Sequence, residues 1–114
     1  MKRVIILLSH PLFSRGVESL LRRETGLEIV GRETDANKVI ERMKELRPDV
    51  AIVDSADPAC DPVPVVMRIL KERVGTRVVA LNLQDNTMCV YRGEQRVVKE
   101  VQDLVEAIEQ TALD

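Results

Sequence analysis

Residues 47–54 read Arg-Pro-Asp-Val-Ala-Ile-Val-Asp, and this stretch decides the fold class of the 114-residue chain. Pro48 closes the amphipathic segment that precedes it, and the apolar residues 50–53 stop abruptly at the charged Asp54. A short, continuously apolar run is typical of a strand that is covered on both faces, as in a parallel sheet. The stretch therefore predicts a central strand whose carboxyl end carries a carboxylate.

Short apolar runs alternate with amphipathic segments on both sides of this strand. Runs at residues 3–8, 27–30 and 77–83 predict three more strands, and Asp35 is placed to cap the second helix. The segments between the strands predict helices, because their apolar residues recur at the spacing of one helix face. These residues are Val17, Leu20 and Leu21, then Val39, Ile40, Met43 and Leu46, then Val65, Val66, Ile69 and Leu70. The alternation predicts one α/β domain over residues 1–114, with parallel strands and right-handed crossovers.

The segment after the fourth strand departs from this alternation. Residues 87–91 resemble a strand, Arg92-Gly93-Glu94 is a hairpin turn signal, and residues 95–98 have the pattern of a return strand. A final helix is predicted at about residues 101–112, and one of its faces is apolar through Val101, Leu104, Val105 and Ile108. We therefore expect a β-hairpin at one edge of the sheet, in place of a fourth helix before the last strand.

The composition argues against several classes of function. The net charge of −2 gives no basic surplus for general nucleic-acid binding, and Phe13 and Tyr91 are the only aromatic residues available for base stacking. Five isolated glycines form no phosphate-binding loop, and the apolar run at residues 3–8 is too short to cross a bilayer. Cys60 and Cys89 match neither a disulfide framework nor a metal site, which suggests a reducing cytoplasm. We expect no nucleic acid, membrane or cofactor as a direct partner.

The residues Val4-Ile-Ile-Leu-Leu-Ser9-His10-Pro11-Leu12-Phe13 resemble the opening of a bacterial response-regulator receiver domain, in particular of receivers that precede a helix-turn-helix output. Residues 47–54 are similar to the strand that delivers the family's phosphoacceptor aspartate, and Pro58 matches the family's loop proline. The resemblance covers residues 1–83 and resumes over about 95–111. It implies a flavodoxin-like, three-layer fold with strand order 2-1-3-4-5 and a site at the carboxyl ends of the strands.

The resemblance also implies where a phosphorylation site would lie and what it lacks. Asp54 corresponds to the phosphoacceptor, Asn82 to the hydroxyl residue that contacts the phosphoryl group, and Lys99 lies near the active-site lysine. The family's two acidic residues, which anchor Mg²⁺, correspond here to Leu8 and Ser9. We therefore expect a degenerate site without a metal. Asp54 would either retain residual phosphorylation or have a structural role, by pairing with Lys99 or by accepting backbone N–H bonds.

Three other polar residues near the strand ends have two interpretations each. His10 could be a phosphohistidine or a metal ligand, but the His-Pro-Leu-Phe turn is a structural feature of the family. Asp57 and Asp61 could supply oxygen ligands to a metal, although carboxylates on a proline-rich loop more often cap and solvate it. Asp61 would also favour the N-terminal dipole of the helix that follows.

The leading functional hypothesis is a phosphorylation-independent receiver, not an enzyme, that acts in bacterial signalling by binding other proteins and forms a homodimer. The alternative is a sensor of a nucleotide or another anionic small molecule. Its pocket would be formed by Leu8, Ser9, His10, Asn82 and Lys99 at the strand ends. An enzyme with receiver-like phosphatase chemistry is a third hypothesis.

The interaction surface is predicted on residues 87–98, because an edge strand offers unpaired backbone groups to a partner chain. Strand alternation places Met88 and Val90 on one face, with Val97 added if the strand continues. The other face would carry Thr87, Cys89, Tyr91 and Arg96. Tyr91 would either anchor an interface or pack on the last helix beside Val101 or Leu104.

Overall fold

The computed structural model describes residues 1–54, 63–82 and 86–111. The strands of this part of the chain are β1 (Lys2–Leu7), β2 (Leu27–Glu33), β3 (Val50–Asp54), β4 (Arg77–Asn82) and β5 (Thr87–Tyr91). The helices are α1 (Pro11–Leu21), α2 (Ala36–Leu46), α3 (Val63–Glu72) and α4 (Val101–Thr111). None of these helices is long and apolar enough to cross a membrane.

The strands form one mixed sheet in the order β2-β1-β3-β4-β5, as the sequence predicted. The pairs β1–β2, β1–β3 and β3–β4 are parallel, whereas β5 runs antiparallel to β4. The carboxyl ends of β1, β3 and β4 therefore meet at one edge, which we call the site edge. The antiparallel β5 starts at this edge, with Thr87 opposite Asn82, and ends at the other, with Tyr91 opposite Val78.

An apolar layer covers each face of the sheet. Alternate residues of β1, β3 and β4 pack with α2 and α3 in one layer. The buried members of this layer are Ile5, Leu7, Val39, Met43, Ala51, Val53, Val66, Ile69, Val78 and Ala80. The intervening residues of the strands pack with α1 in the other layer. Its buried members are Val4, Ile6, Leu8 and Ile52, and Phe13, Val17 and Leu21 of α1 pack against them.

The stretch at residues 47–54 connects several of these elements. Arg47 ends α2 in the left-handed conformation with φ 44°, and its backbone N–H donates to Met43. The Asp49 carboxylate accepts the Arg3 backbone N–H at 2.8 Å, and the buried Thr76 hydroxyl donates to the Pro48 carbonyl at 2.7 Å. These bonds fix β1, β3 and the start of β4 relative to one another. The predicted cap of α2 is also present, since the Asp35 side chain accepts the Asn37 N–H at 2.9 Å.

The edge hairpin is present, but its strands are not the two that the sequence indicated. It consists of β4 and β5, and Asn86, directly before β5, has the left-handed φ of 56°. Residues 95–98, expected to form the return strand, have no regular secondary structure. Their apolar members Val97 and Val98 are 77% and 66% exposed. No strand among the described residues pairs with this segment.

At Gly93, two residues after the end of β5, the chain passes close to Val74. A Cβ atom at Gly93 would lie 2.8 Å from Val74 Cγ2 and 3.2 Å from the Val74 carbonyl oxygen. Leu70 of α3 is also in contact, at 3.7 Å. The Arg92-Gly93-Glu94 signal therefore marks a close approach of the chain to the end of α3, and not a second hairpin turn.

We predict that Gly93→Ala lowers the free energy of unfolding by about 1–3 kcal/mol, because the new methyl group overlaps side-chain and backbone atoms of Val74. The matched control is Gly26→Ala, since a Cβ atom there meets nothing within 4 Å. Neither glycine has a positive φ, so backbone strain does not separate the two variants. Denaturant unfolding followed by circular dichroism measures both. Equal midpoints for the two variants would contradict the close packing at Gly93.

Candidate functional site

The site edge brings Ser9 next to Asp54. Parallel pairing sets Leu7 beside Val53, so the residues that follow these two positions leave the sheet together. The Ser9 hydroxyl donates to Asp54 Oδ2 at 2.7 Å, and the Ser9 backbone N–H donates to the same oxygen at 3.1 Å. One oxygen of the Asp54 carboxylate thus accepts two hydrogen bonds from a single residue.

Leu8 has no access to this edge. It is fully buried and belongs to the apolar layer beneath α1, together with Val4 and Ile6. The alternation of β1 continues one residue past its end, so Leu8 faces the core while Ser9 lies exposed beside Asp54. Of the two positions after β1, only Ser9 presents an oxygen atom to the carboxylate.

Asn82 lies at the same edge, and Lys99 forms no bond with Asp54. Asn82 ends β4, whose Leu81 pairs with Asp54, and it is half-buried. Lys99 follows β5, which carries the chain away from the site edge before residue 92. The predicted Asp54–Lys99 pair is wrong, since no ion pair between described residues joins them. Asp54 instead accepts a backbone N–H, that of Ser9, which was the other alternative.

The remaining predicted site residues lie in three different places. His10 is the exposed N-cap residue of α1, and its side chain makes no capping bond. Met88 and Val90 point to the α1 face of the sheet and are 64% and 45% exposed. Tyr91 points to the opposite face and is half-buried against the layer formed with α2 and α3. Tyr91 is therefore packed against the sheet's α2 and α3 layer and is not fully exposed.

Arg96 is occupied by local partners. Its guanidinium forms an ion pair with Glu94 at 2.8 Å and a hydrogen bond with Gln110. The hydrogen bond that Arg96 donates to the Glu94 carboxylate raises the pKa of Arg96 above its ordinary value, and the charges of Glu94 and Glu106 act in the same direction. These contacts connect the segment after β5 to α4.

Metal ligands are not clustered in the described ranges. No group of three or more histidine, cysteine or acidic side chains within residues 1–54, 63–82 and 86–111 could hold a metal ion. Asp57 and Asp61, the two carboxylates that the sequence offered as oxygen ligands, lie outside the described residues, as does Cys60.

The sequence did not reveal the bond between Ser9 and Asp54. The available signal was a serine directly after one buried strand and an aspartate at the end of another, because neighbouring parallel strands bring such positions together. The sequence also placed Leu20 in the apolar stripe of α1, but Leu20 is 63% exposed. The contacts of α1 run through Phe13, Val17 and Leu21 instead.

Comparison with known proteins gives the family. Over 94 residues, or 82% of its length, the chain is 31% identical to the "Probable transcriptional regulatory protein NarL" of Mycobacterium tuberculosis. The solved signal receiver domain of NarL from Mycobacterium tuberculosis is also 31% identical, with a TM-score of 0.61 over 71% of this chain and 65% of that one. The chain is a receiver domain of the response-regulator type.

A second receiver structure agrees in fold. The isolated receiver domain of RcsB from Salmonella enterica serovar Typhimurium, solved with the phosphomimetic BeF₃⁻, has a TM-score of 0.64 at 23% identity. The match covers 75% of this chain and 64% of that domain. Curated relatives include response regulators and transcriptional regulators, and also a protein-glutamate methylesterase. The receiver spans less than half the length of these relatives, 44% in the case of NarL. No protein-family model matches the chain.

We predict that Ser9→Ala lowers the free energy of unfolding by about 0.5–1.5 kcal/mol, because it removes the hydroxyl bond to Asp54 and leaves the backbone bond in place. Ser19→Ala is the control, because Ser19 is exposed on α1, away from Asp54. Urea titrations of the two variants and the unmodified protein test this. If Ser9→Ala is no less stable than Ser19→Ala, the hydroxyl bond does not contribute to stability.

Proposed function

We propose that this receiver works without phosphorylation, as a non-enzymatic protein-interaction module of a bacterial signalling pathway in the cytoplasm. The observation that carries the proposal is the pair of hydrogen bonds from Ser9 to Asp54, beside the buried Leu8. The carboxylate that would accept a phosphoryl group is held by a neutral residue, at a place where the family has two acidic side chains.

The described donor atoms at the site edge do not fit Mg²⁺. This ion requires near-octahedral oxygen coordination, and proteins usually hold it with one or two carboxylates and several waters. Asp54 supplies a carboxylate, but one of its oxygens already accepts two bonds from Ser9, and Leu8 supplies no oxygen at all. Phosphoryl transfer places negative charge on donor and acceptor together, so it depends on a cation to offset that charge. This donor set supports a site that accepts phosphate poorly.

The exposed apolar side chains support a role in protein binding. Met88 and Val90 of β5, and Val101 and Leu104 of α4, are all between 45% and 75% exposed. Grouped exposed apolar residues often mark surfaces that bind other proteins. β5 is also the edge strand of the sheet, and no described strand pairs with its outer side. Edge strands of this kind can pair with another chain.

The sensor hypothesis has less support from the geometry. Its pocket required Leu8, Ser9 and Lys99 to surround one space at the strand ends. Leu8 is instead packed in the core beneath α1, and Lys99 follows β5 away from this edge. A thermal-shift screen with nucleotides and inorganic phosphate separates the two functions. A sensor would gain stability with one ligand class, whereas the interaction module would not.

We predict that incubation with Mg²⁺ and acetyl phosphate leaves the protein without a phosphoryl group, because the site lacks the charge compensation that transfer requires. Intact-mass spectrometry measures the product, with an active receiver as the positive control. The double variant Leu8→Asp/Ser9→Asp should recover some Mg²⁺ binding, because it returns the family's acidic pair to the two positions that follow β1.

Two results would contradict this proposal. One is a stoichiometric mass gain of one phosphoryl group in the unmodified protein that disappears in Asp54→Ala. The other is unchanged Mg²⁺ binding in a folded double variant, because positions 8 and 9 would then not correspond to the acidic pair.

A further inference from the structure

Among the described helices, α1 is the one that packs on the face of the sheet opposite to α2 and α3, mainly beside β1 and β2. α1 packs on this face through Phe13, Val17 and Leu21. Beyond it, towards the β5 edge, Val79 and Leu81 of β4 remain half-buried. Val90 pairs with Val79 and Met88 pairs with Leu81, so these β5 side chains lie on the same face. A strip of apolar surface is therefore accessible over β4 and β5.

One side of α1 borders this strip. Glu18 bonds Arg32 of β2 at 3.3 Å, which directs that side of the helix towards β2. Leu20 follows two residues later, on nearly the opposite side, because successive helix positions turn by about 100°. Leu20 is 63% exposed, and a Cβ atom at Gly16 on the same side would meet nothing within 4 Å. This side of the helix and the strip form a groove, the β4–β5 groove, lined by Leu20, Val79, Leu81, Met88 and Val90.

α4 carries an apolar stripe that is mostly exposed. Val101, Leu104 and Ile108 follow one another at intervals of three and four residues, so they share one face of the helix. They are 75%, 53% and 61% exposed. We call these three residues the α4 stripe. The chain thus has an open apolar groove and an apolar helix face that does not fill it.

The path of the chain directs α4 away from the groove of its own copy. β5 leaves the sheet at Tyr91, which packs on the α2 and α3 side. Gly93 follows two residues later, and a Cβ atom at this position would meet Val74 and Leu70 of the α3 region, on that same side of the sheet. The groove lies on the opposite face, beside α1. The segment that leads to α4 therefore starts on the face opposite to the groove, and the α4 stripe remains exposed in this copy.

We propose that two copies of this chain exchange their C-terminal helices, with the α4 stripe of each copy filling the β4–β5 groove of the other. Such an arrangement has twofold symmetry and uses the same two surfaces on both copies. It names a partner for the interaction module and rests on that proposed function. The two proposals can fail independently. Phosphorylation by acetyl phosphate tests the proposed function, whereas the oligomeric mass in light scattering tests the helix exchange.

The dimensions and the charges of the two surfaces agree. An 11-residue helix is about 16 Å long, and a five-residue antiparallel strand spans about 17 Å. Residues 100–110 contain four acidic side chains and no basic one. At the end of the groove away from the site edge, Arg77 and Arg92 are exposed next to β4 and β5, and Arg23 is exposed just after α1. An acidic helix would thus meet a basic rim.

The exposed apolar side chains supply most of the area that a dimer needs. Each copy contributes the three residues of the α4 stripe, together with Leu20, Met88 and Val90 of the groove, all of them 45% to 75% exposed. The two copies together would bury on the order of 700 Å² through these side chains, at roughly 60–120 Å² for each fully buried one. Specific interfaces begin at about 1,000 Å², so contacts between the polar rims need to add about 300 Å² to this apolar area.

Light scattering coupled to size exclusion tests the exchange on the full chain. We expect a mass of twice 12.9 kDa, which persists on moderate dilution. Leu104→Glu alters the α4 stripe and Val90→Glu alters the groove, so each variant alone should be monomeric. Gln102→Glu and Val97→Glu are the matched controls, since they place the same charge at exposed positions outside both surfaces and should remain dimeric.

Mixing the two monomeric variants provides the decisive measurement. The groove of the Leu104→Glu copy and the helix of the Val90→Glu copy are both intact, so the equimolar mixture should recover a heterodimer through one contact. Circular dichroism verifies that both variants are folded, and Leu20→Glu, on the helix wall of the groove, replaces Val90→Glu if that variant unfolds.

Three results would overturn the exchange. The first is a monomeric unmodified protein, including one whose α4 amides are protected from hydrogen exchange, because its own helix would then fill the groove. The second is a dimer whose two monomeric variants do not complement each other. The third is a dimer that Val97→Glu dissociates, since the interface would then lie on the segment after β5.

Discussion

The antiparallel pairing of β5 with β4 determines most of what distinguishes this molecule. A parallel fifth strand would end at the site edge, beside Asp54, and the chain would continue from there. The observed β5 starts at that edge and ends at the opposite one, with Tyr91 across from Val78. Lys99 therefore follows a strand that ends at the edge opposite to Asp54. The same reversal places Tyr91 in the layer with α2 and α3, and Met88 and Val90 on the other face, where they are exposed.

At the site edge, the carboxylate of Asp54 is held by a neutral residue. Ser9 satisfies one carboxylate oxygen of Asp54 with two hydrogen bonds, and Leu8 completes the packing beneath α1. Each of these residues has a structural role that an acidic side chain would not fill as well: a buried carboxylate at position 8 would be strongly desolvated. Leu8 and Ser9 therefore both stabilise the fold, Leu8 by packing beneath α1 and Ser9 by its hydrogen bonds to Asp54.

The sequence was sufficient for the fold wherever the local pattern and the global packing agreed. Asp35 caps α2 as expected, and Val39 and Met43 occupy the core positions that the helical spacing indicated. It was not sufficient where a pattern depends on a partner element. Val97 and Val98 have the composition of a strand, but a strand also needs a neighbouring strand to pair with. Before these residues, the chain passes close to Val74 at Gly93 and does not turn back along β5. The site was predicted in part: the position of Asp54 follows from a single strand, whereas Ser9 as its partner depends on the register between two strands.

The β4–β5 hairpin also has a consequence for the order in which the chain folds. Parallel strands need a crossover of a dozen or more residues, whereas only residues 83–86 separate β4 from β5. Contacts between residues that are close in sequence form with little loss of chain entropy and favour rapid folding. The last strand of the sheet can therefore form without waiting for any later part of the chain. The pairing that completes the described sheet therefore does not require α4.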